Sequence, residues 1–175
     1  MTNTKKMILA ALCFALGLVL PSAFHMIGAG TVFLPMHIPV LICGLVCGWQ
    51  YGAACGFLVP LVSSLLTGMP PLFPTAPAMM LELCAYGILT GLLYHHFRAP
   101  LYPSLIGAML GGRVVSGLAN ALFMGIAGKA YGLSAFVAAS FVTALPGIVL
   151  QLVAVPVLVI ALQKSGAIQG PRAAA

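Results

Sequence analysis

Between Met7 and Gln163 the chain carries formal charge at only four positions: Glu82, Arg98, Arg113 and Lys129. Few folds can accommodate such a stretch. A water-facing surface needs polar cover, and soluble domains are about 25% charged. This chain of 175 residues is 5% charged and 62% hydrophobic. It is therefore read as an integral membrane protein. The helical class follows because the apolar runs are long and do not alternate as barrel strands do.

The apolar runs divide into six segments, at about 7–27, 35–48, 53–67, 76–94, 102–127 and 134–163. The expected fold is all-α, a single membrane domain of six transmembrane helices over 1–165, with a disordered tail over 166–175. The start, Met1 to Lys6 before an apolar run, has the outline of a signal peptide. No small-residue cleavage site precedes Pro21, so the run reads as the first membrane helix, with Pro21 placed to kink it. The second segment is short for a span of about 20 residues, and Thr31–Leu34 could complete it. Trp49-Gln50-Tyr51-Gly52 reads as a tight turn with interfacial aromatics. Six spans put both termini on one side. Lys5, Lys6, Arg98, Lys164 and Arg172 fall on that side and only Lys129 on the other. Both termini are thus expected in the cytoplasm, with the protein multi-pass in the cell membrane.

Gly68-Met69-Pro70-Pro71-Leu72-Phe73-Pro74-Thr75-Ala76-Pro77 cannot continue a helix, since each proline lacks an N–H and clashes with the preceding turn. It reads as a stiff outer connection between two spans and part of the mouth of a binding site. Thr75 is a candidate N-cap for the next helix, with Pro77 in its first turn. The positive end of that helix would favour an anionic group.

Ionisable groups inside spans default to functional hypotheses. Glu82 and Arg113 lie at depths that differ by roughly one turn at 1.5 Å per residue. They either pair, holding two spans together, or line a cavity for substrate. Glu82 and Tyr86 share one helix face; Arg113, Gly117, Asn120 and Met124 share another. Facing each other, they would line a polar pocket open to the outside. Asn120 serves equally as an interhelical hydrogen-bonder, and Gln151 reads as such glue. His25 and His37 lie near outer helix ends among Met26, Met36, Met69, Met79 and Met80. That collar would suit a soft metal or haem, but interfacial histidines beside ordinary methionines is the plainer reading. His95 and His96 are expected in solvent on the inner side. Cys13, Cys43, Cys47, Cys55 and Cys84 all lie in apolar runs, without a C-x-x-C, and read as packing residues.

A lone carboxylate excludes paired-carboxylate catalysis within the chain. No phosphate-binding loop, G-x-S-x-G or H-E-x-x-H occurs, so no catalytic residues are assigned and an enzyme is not expected. The cations form no basic patch interleaved with aromatics, so nucleic acid is not an expected partner.

Several features together resemble the substrate-binding S components of energy-coupling factor (ECF) transporters. They are six helices, Ala11-x-x-x-Ala15 in the first, Phe33-Leu34-Pro35-Met36-His37-Ile38-Pro39-Val40 opening the second, Gly48-Trp49-Gln50-Tyr51-Gly52, and the Gly68–Pro77 hairpin. The resemblance covers about Lys6 to Lys164. It implies a subunit with no ATPase of its own, which captures a vitamin or related micronutrient from outside. It implies association with a transmembrane coupling subunit and two ATP-binding subunits, and toppling in the bilayer to deliver the cargo. It maps partner contact onto Ala11 and Ala15. It implies a substrate site among the outer loops and outer helix halves, for which His25, His37, Glu82, Tyr86, Arg113 and Asn120 are the candidates. The loop with His25 and the hairpin residues Met69, Pro70, Pro71 and Phe73 would close over it. Substrate identity does not carry over. Arg113 suits a carboxylate or phosphate, which favours a small polar vitamin or precursor able to carry an anionic group. Haem is the rival ligand. The Met36-His37 pair is similar to the Met-His start of nickel and cobalt S components, but it is internal here, so no metal site and no cofactor are assigned. A proton-coupled secondary transporter using Glu82 is the alternative class.

Overall fold

The computed structural model describes residues 2–26, 34–128, 132, 136–166 and 168. Among these residues every regular element is a helix. Helix α1 is Asn3–Met26, α2 His37–Cys47, α3 Trp49–Thr67, α4 Thr75–Gly91, α5 Leu101–Ile126 and α6 Leu145–Lys164. A π-helical turn, Leu92–His96, extends α4, and another, Ala138–Thr143, precedes α6. Five helices are long and apolar enough to cross a membrane, and α2 is a shorter apolar helix. The chain is an all-α integral membrane protein.

Helix α2 sits at the centre. It packs against α1, α3, α4 and α6. It is apolar almost all round, as a helix enclosed by others must be, and Val40, Leu41 and Cys43 are wholly buried. Eleven residues span only about 16 Å, roughly half the hydrocarbon thickness. Its first residue, His37, therefore lies deep. The expected extension through Thr31–Leu34 does not occur at Leu34, which has φ 49° and leads into a turn, and 31–33 lie outside the described residues. Pro35 disfavours helical geometry at the residue before it. Pro39 is tolerated in the first turn, where its missing N–H had no partner to lose.

Two other boundaries differ from expectation. Trp49–Gly52 is not a turn. Gly48 alone reverses the chain, at φ 101°, and α3 begins at Trp49 with Gly52 N–H already bonded to the Gly48 carbonyl at 3.0 Å. The last segment is not one helix from Ser134, which lies outside the described residues. Pro146 resets it: the π-helical turn ends at Thr143, and α6 starts at Leu145 with the proline in its first turn. By contrast, α1 runs through Pro21 as continuous helix.

Helices α3 and α4 approach backbone to backbone. A Cβ on Gly52 would lie 2.7 Å from the Gly87 carbonyl oxygen, and one on Gly87 would fall on the Gly52 backbone. Gly56 likewise faces the Leu83 carbonyl, and Gly91 faces the Trp49 backbone. Two small-x-x-x-small rows thus meet face to face. Without a hydrophobic drive between helices in lipid, such close contact supplies the attraction.

The end where α2 stops is also tied by side chains. Helix α2 ends at Cys47, which leaves its last carbonyls without helical partners. His95 Nε2 meets one of them, Leu45 O, at 2.8 Å. Gln163 Nε2 donates to Tyr94 Oη at 2.9 Å. These bonds level the ends of α2, α4 and α6. His95 was expected to be merely solvated; it is exposed but also fastens α4 to α2.

The proline hairpin is held by α3. Gly68 caps that helix in the left-handed region at φ 72°. Ser63 Oγ donates to Met69 O at 2.8 Å and Ser64 Oγ to Pro70 O at 2.6 Å. Prolines bring carbonyls without matching N–H groups, and these hydroxyls satisfy them. Thr75 is not the N-cap: Pro74 holds that position, and Ala76 N–H bonds back to Pro71 O at 2.9 Å. The Phe73 ring meets Phe123 of α5 edge to face, 6.4 Å between centroids.

Candidate substrate-binding site

The site is centred on Glu82, in the second turn of α4. Arg113 Nη1 donates to its Oε1 at 3.0 Å, and Ser116 Oγ donates to its Oε2 at 2.8 Å. His37 Nε2 stands 3.5 Å from Oε1, within ion-pair distance but without hydrogen-bond geometry. The His37 ring meets Tyr86 edge to face at 5.2 Å, and the Tyr86 ring lies so close to Gly112 that a Cβ there would sit 2.9 Å from it. Three helices therefore converge: α2 through His37, α4 through Glu82 and Tyr86, α5 through Arg113 and Ser116.

The reason is positional. The truncated α2 puts His37 at mid-depth, and Gly112 lets α5 lie against the Tyr86 ring. Arg113 and Ser116, three residues apart, then share the face turned to Glu82. Relative exposure is 1% for His37, 5% for Glu82, 0% for Tyr86 and 7% for Arg113. The carboxylate and the guanidinium neutralise each other. What remains is hydrogen-bonding capacity. His37 Nδ1 and Nε2, Tyr86 Oη and Arg113 Nη2 are buried without a hydrogen-bond partner, as are both amide atoms of Gln151 on α6. Each such atom costs about 1–3 kcal/mol if nothing meets it. Functional sites are where proteins retain that cost.

The expected residues thus separate. His37, Glu82, Tyr86 and Arg113 come together. Of the two readings of Glu82 and Arg113, the pair is what forms, and Arg113 Nη2 is left without a hydrogen-bond partner. Asn120 is half-buried and donates to Ser116 O at 2.9 Å and to Ser116 Oγ at 3.3 Å, so it orients Ser116 from one turn away. His25 lies in the last turn of α1, and its side chain is outside the described residues. In the hairpin Met69 and Phe73 are exposed, Pro71 is exposed and Pro70 half-buried. Phe73 touches α5 one turn beyond Asn120. Ala11 and Ala15 are both exposed on α1.

One neighbour of Glu82 was not among the expected residues. Ser116 was visible in principle, three residues from Arg113 on the same face. Gln151 was read as interhelical glue, yet neither of its amide atoms bonds to a neighbouring helix. Among the described residues no group of three or more His, Cys, Asp or Glu side chains is placed to hold a metal ion.

No curated protein and no solved structure matches the chain. The family model for the substrate-specific component of ECF transporters matches residues 5–159. With that match across most of its length, the chain belongs to the ECF transporter substrate-specific components, multi-pass transport subunits of the cell membrane.

Proposed function

We propose that this subunit captures a vitamin-like small molecule at the His37–Glu82–Tyr86–Arg113 cluster from the outer side of the membrane. It then delivers its cargo inward together with a coupling subunit and two ATP-binding subunits. The observation that carries this reading is the set of buried polar atoms without partners around a neutralised ion pair. A purely structural pair would bring its neighbours' hydrogen bonds to completion. Helix α1 supports the partner half of the reading. Ala11 and Ala15 form a small-residue strip on an exposed face, where another helix could approach closely. The positive-inside balance supports cytoplasmic termini and an outer proline hairpin. The hairpin, pinned to α3 and touching α5, closes the outer side.

Native mass spectrometry of freshly purified protein, with an absorption spectrum, tests the reading. A bound organic molecule of vitamin size is expected. A Soret band would replace it with haem. Uptake that a protonophore abolishes while ATP is maintained would instead make Glu82 the proton carrier of a secondary transporter.

A further inference from the structure

The cluster around Glu82 fixes the chemistry of what it binds more narrowly than the presence of Arg113 does. We propose that its ligand is uncharged overall and presents hydrogen-bond donors and acceptors side by side, as a cyclic amide, ureide or carboxamide does, and that Gln151 is one of the residues that reads it. The proposal rests on the capture reading above.

The first argument is charge. Arg113 and Glu82 bond directly, both nine-tenths buried or more. Their charges cancel in a setting of low dielectric, with His37, 3.5 Å from the same carboxylate oxygen, counted as a hydrogen-bonding group and not as a third charge. An anionic ligand would add a second negative charge against one guanidinium, and a cation would add a second positive charge. Either leaves a buried charge uncompensated, the costly case. A neutral ligand leaves the balance intact.

The second argument is the kind of atom left without a partner. A site for a carboxylate or phosphate offers donors alone. Here Arg113 Nη2 is a donor, while Tyr86 Oη can give or take. Gln151 offers a donor and an acceptor. The His37 ring adds two nitrogens without a hydrogen-bond partner. Buried acceptors repel an anion, so the ligand must itself supply N–H or O–H groups along with carbonyl or ring acceptors.

The third argument places Gln151. The bonds from His95 to Leu45 and from Gln163 to Tyr94 set a common level for α2, α4 and α6. Counting 1.5 Å per residue from that level, His37 stands roughly 12 Å above it, Tyr86 roughly 14 Å, Gln151 roughly 18 Å and Glu82 roughly 20 Å. Helix α6 packs against α2 and α5, the helices that carry His37 and Arg113. Gln151 is wholly buried, at the depth of the cluster, with both amide atoms unmet.

The test uses the full chain as purified. The small molecule released on denaturation is passed over anion- and cation-exchange resins at pH 7. Flow-through from both is expected. Retention on either resin overturns the charge assignment and leaves substrate capture standing. A preparation that releases nothing overturns capture itself. For Gln151, the Gln151→Leu variant is compared with wild type. Ligand retained per mole of protein should fall at least tenfold, while the melting temperature of the ligand-free protein holds or rises, because a buried unpaired amide has gone. Wild-type retention together with a lowered melting temperature would make Gln151 a packing residue and remove it from the site.

Discussion

Glu82 is the single acid of the chain, and its surroundings make it both a structural and a chemical group. Removing Arg113 alone would strand it. Breaking a buried pair in this way typically costs about 3–5 kcal/mol, whereas replacing both members with neutral groups is often close to neutral. The Glu82→Gln/Arg113→Met double variant should therefore melt at a higher temperature than Arg113→Ala when both are ligand-free. Both should lose ligand retention, because each lacks Arg113 Nη2. Retention that survives in the double variant would reduce the pair to a scaffold. The match in depth between Glu82 and Arg113 was legible from helical rise alone. Ser116 was legible too, by its spacing from Arg113. The status of Gln151 was not. A sequence shows that a glutamine is buried in an apolar run, but whether a neighbouring helix answers its amide depends on packing that only the assembled bundle defines.

At the scale of elements, the glycine contact between α3 and α4 is the least tolerant part of the fold. Gly87→Val should collapse the yield of monodisperse protein on size exclusion, because the added branches meet Gly52 backbone that cannot yield. Gly125→Ala is the control. Nothing lies within 4 Å of a Cβ there, and alanine's helix propensity makes a gain of up to about 1 kcal/mol the expected direction. The hairpin gives a subtler prediction. Ser63→Ala with Ser64→Ala frees the Pro70 carbonyl and leaves Met69 O only the longer bond from Thr67 Oγ1 at 3.2 Å, so ligand dissociation should quicken several-fold while the melting temperature of the ligand-free protein shifts little. Stopped-flow release of bound ligand measures this. The long spans were readable because apolar length alone marks them. The starts of α2, α3 and α6 were not, because one glycine or one proline decided each, and a turn and a helix start draw on the same residues.

For the whole molecule, the proposed docking strip on α1 would separate binding from assembly. Ala11→Trp should abolish co-purification with the coupling and ATP-binding subunits while the isolated chain keeps its ligand. Assembly that survives the tryptophan would move the docking surface away from α1. A last consequence follows from the two cross-ties, His95 to Leu45 and Gln163 to Tyr94. They brace the bundle as a cantilever is braced, at the end where α2 and α6 stop, and the hairpin at the far end is held separately, by Ser63, Ser64 and Phe123. Bending at the far end would change the entrance without disturbing the seat, so admission of cargo and the geometry of its recognition can vary separately within one small chain.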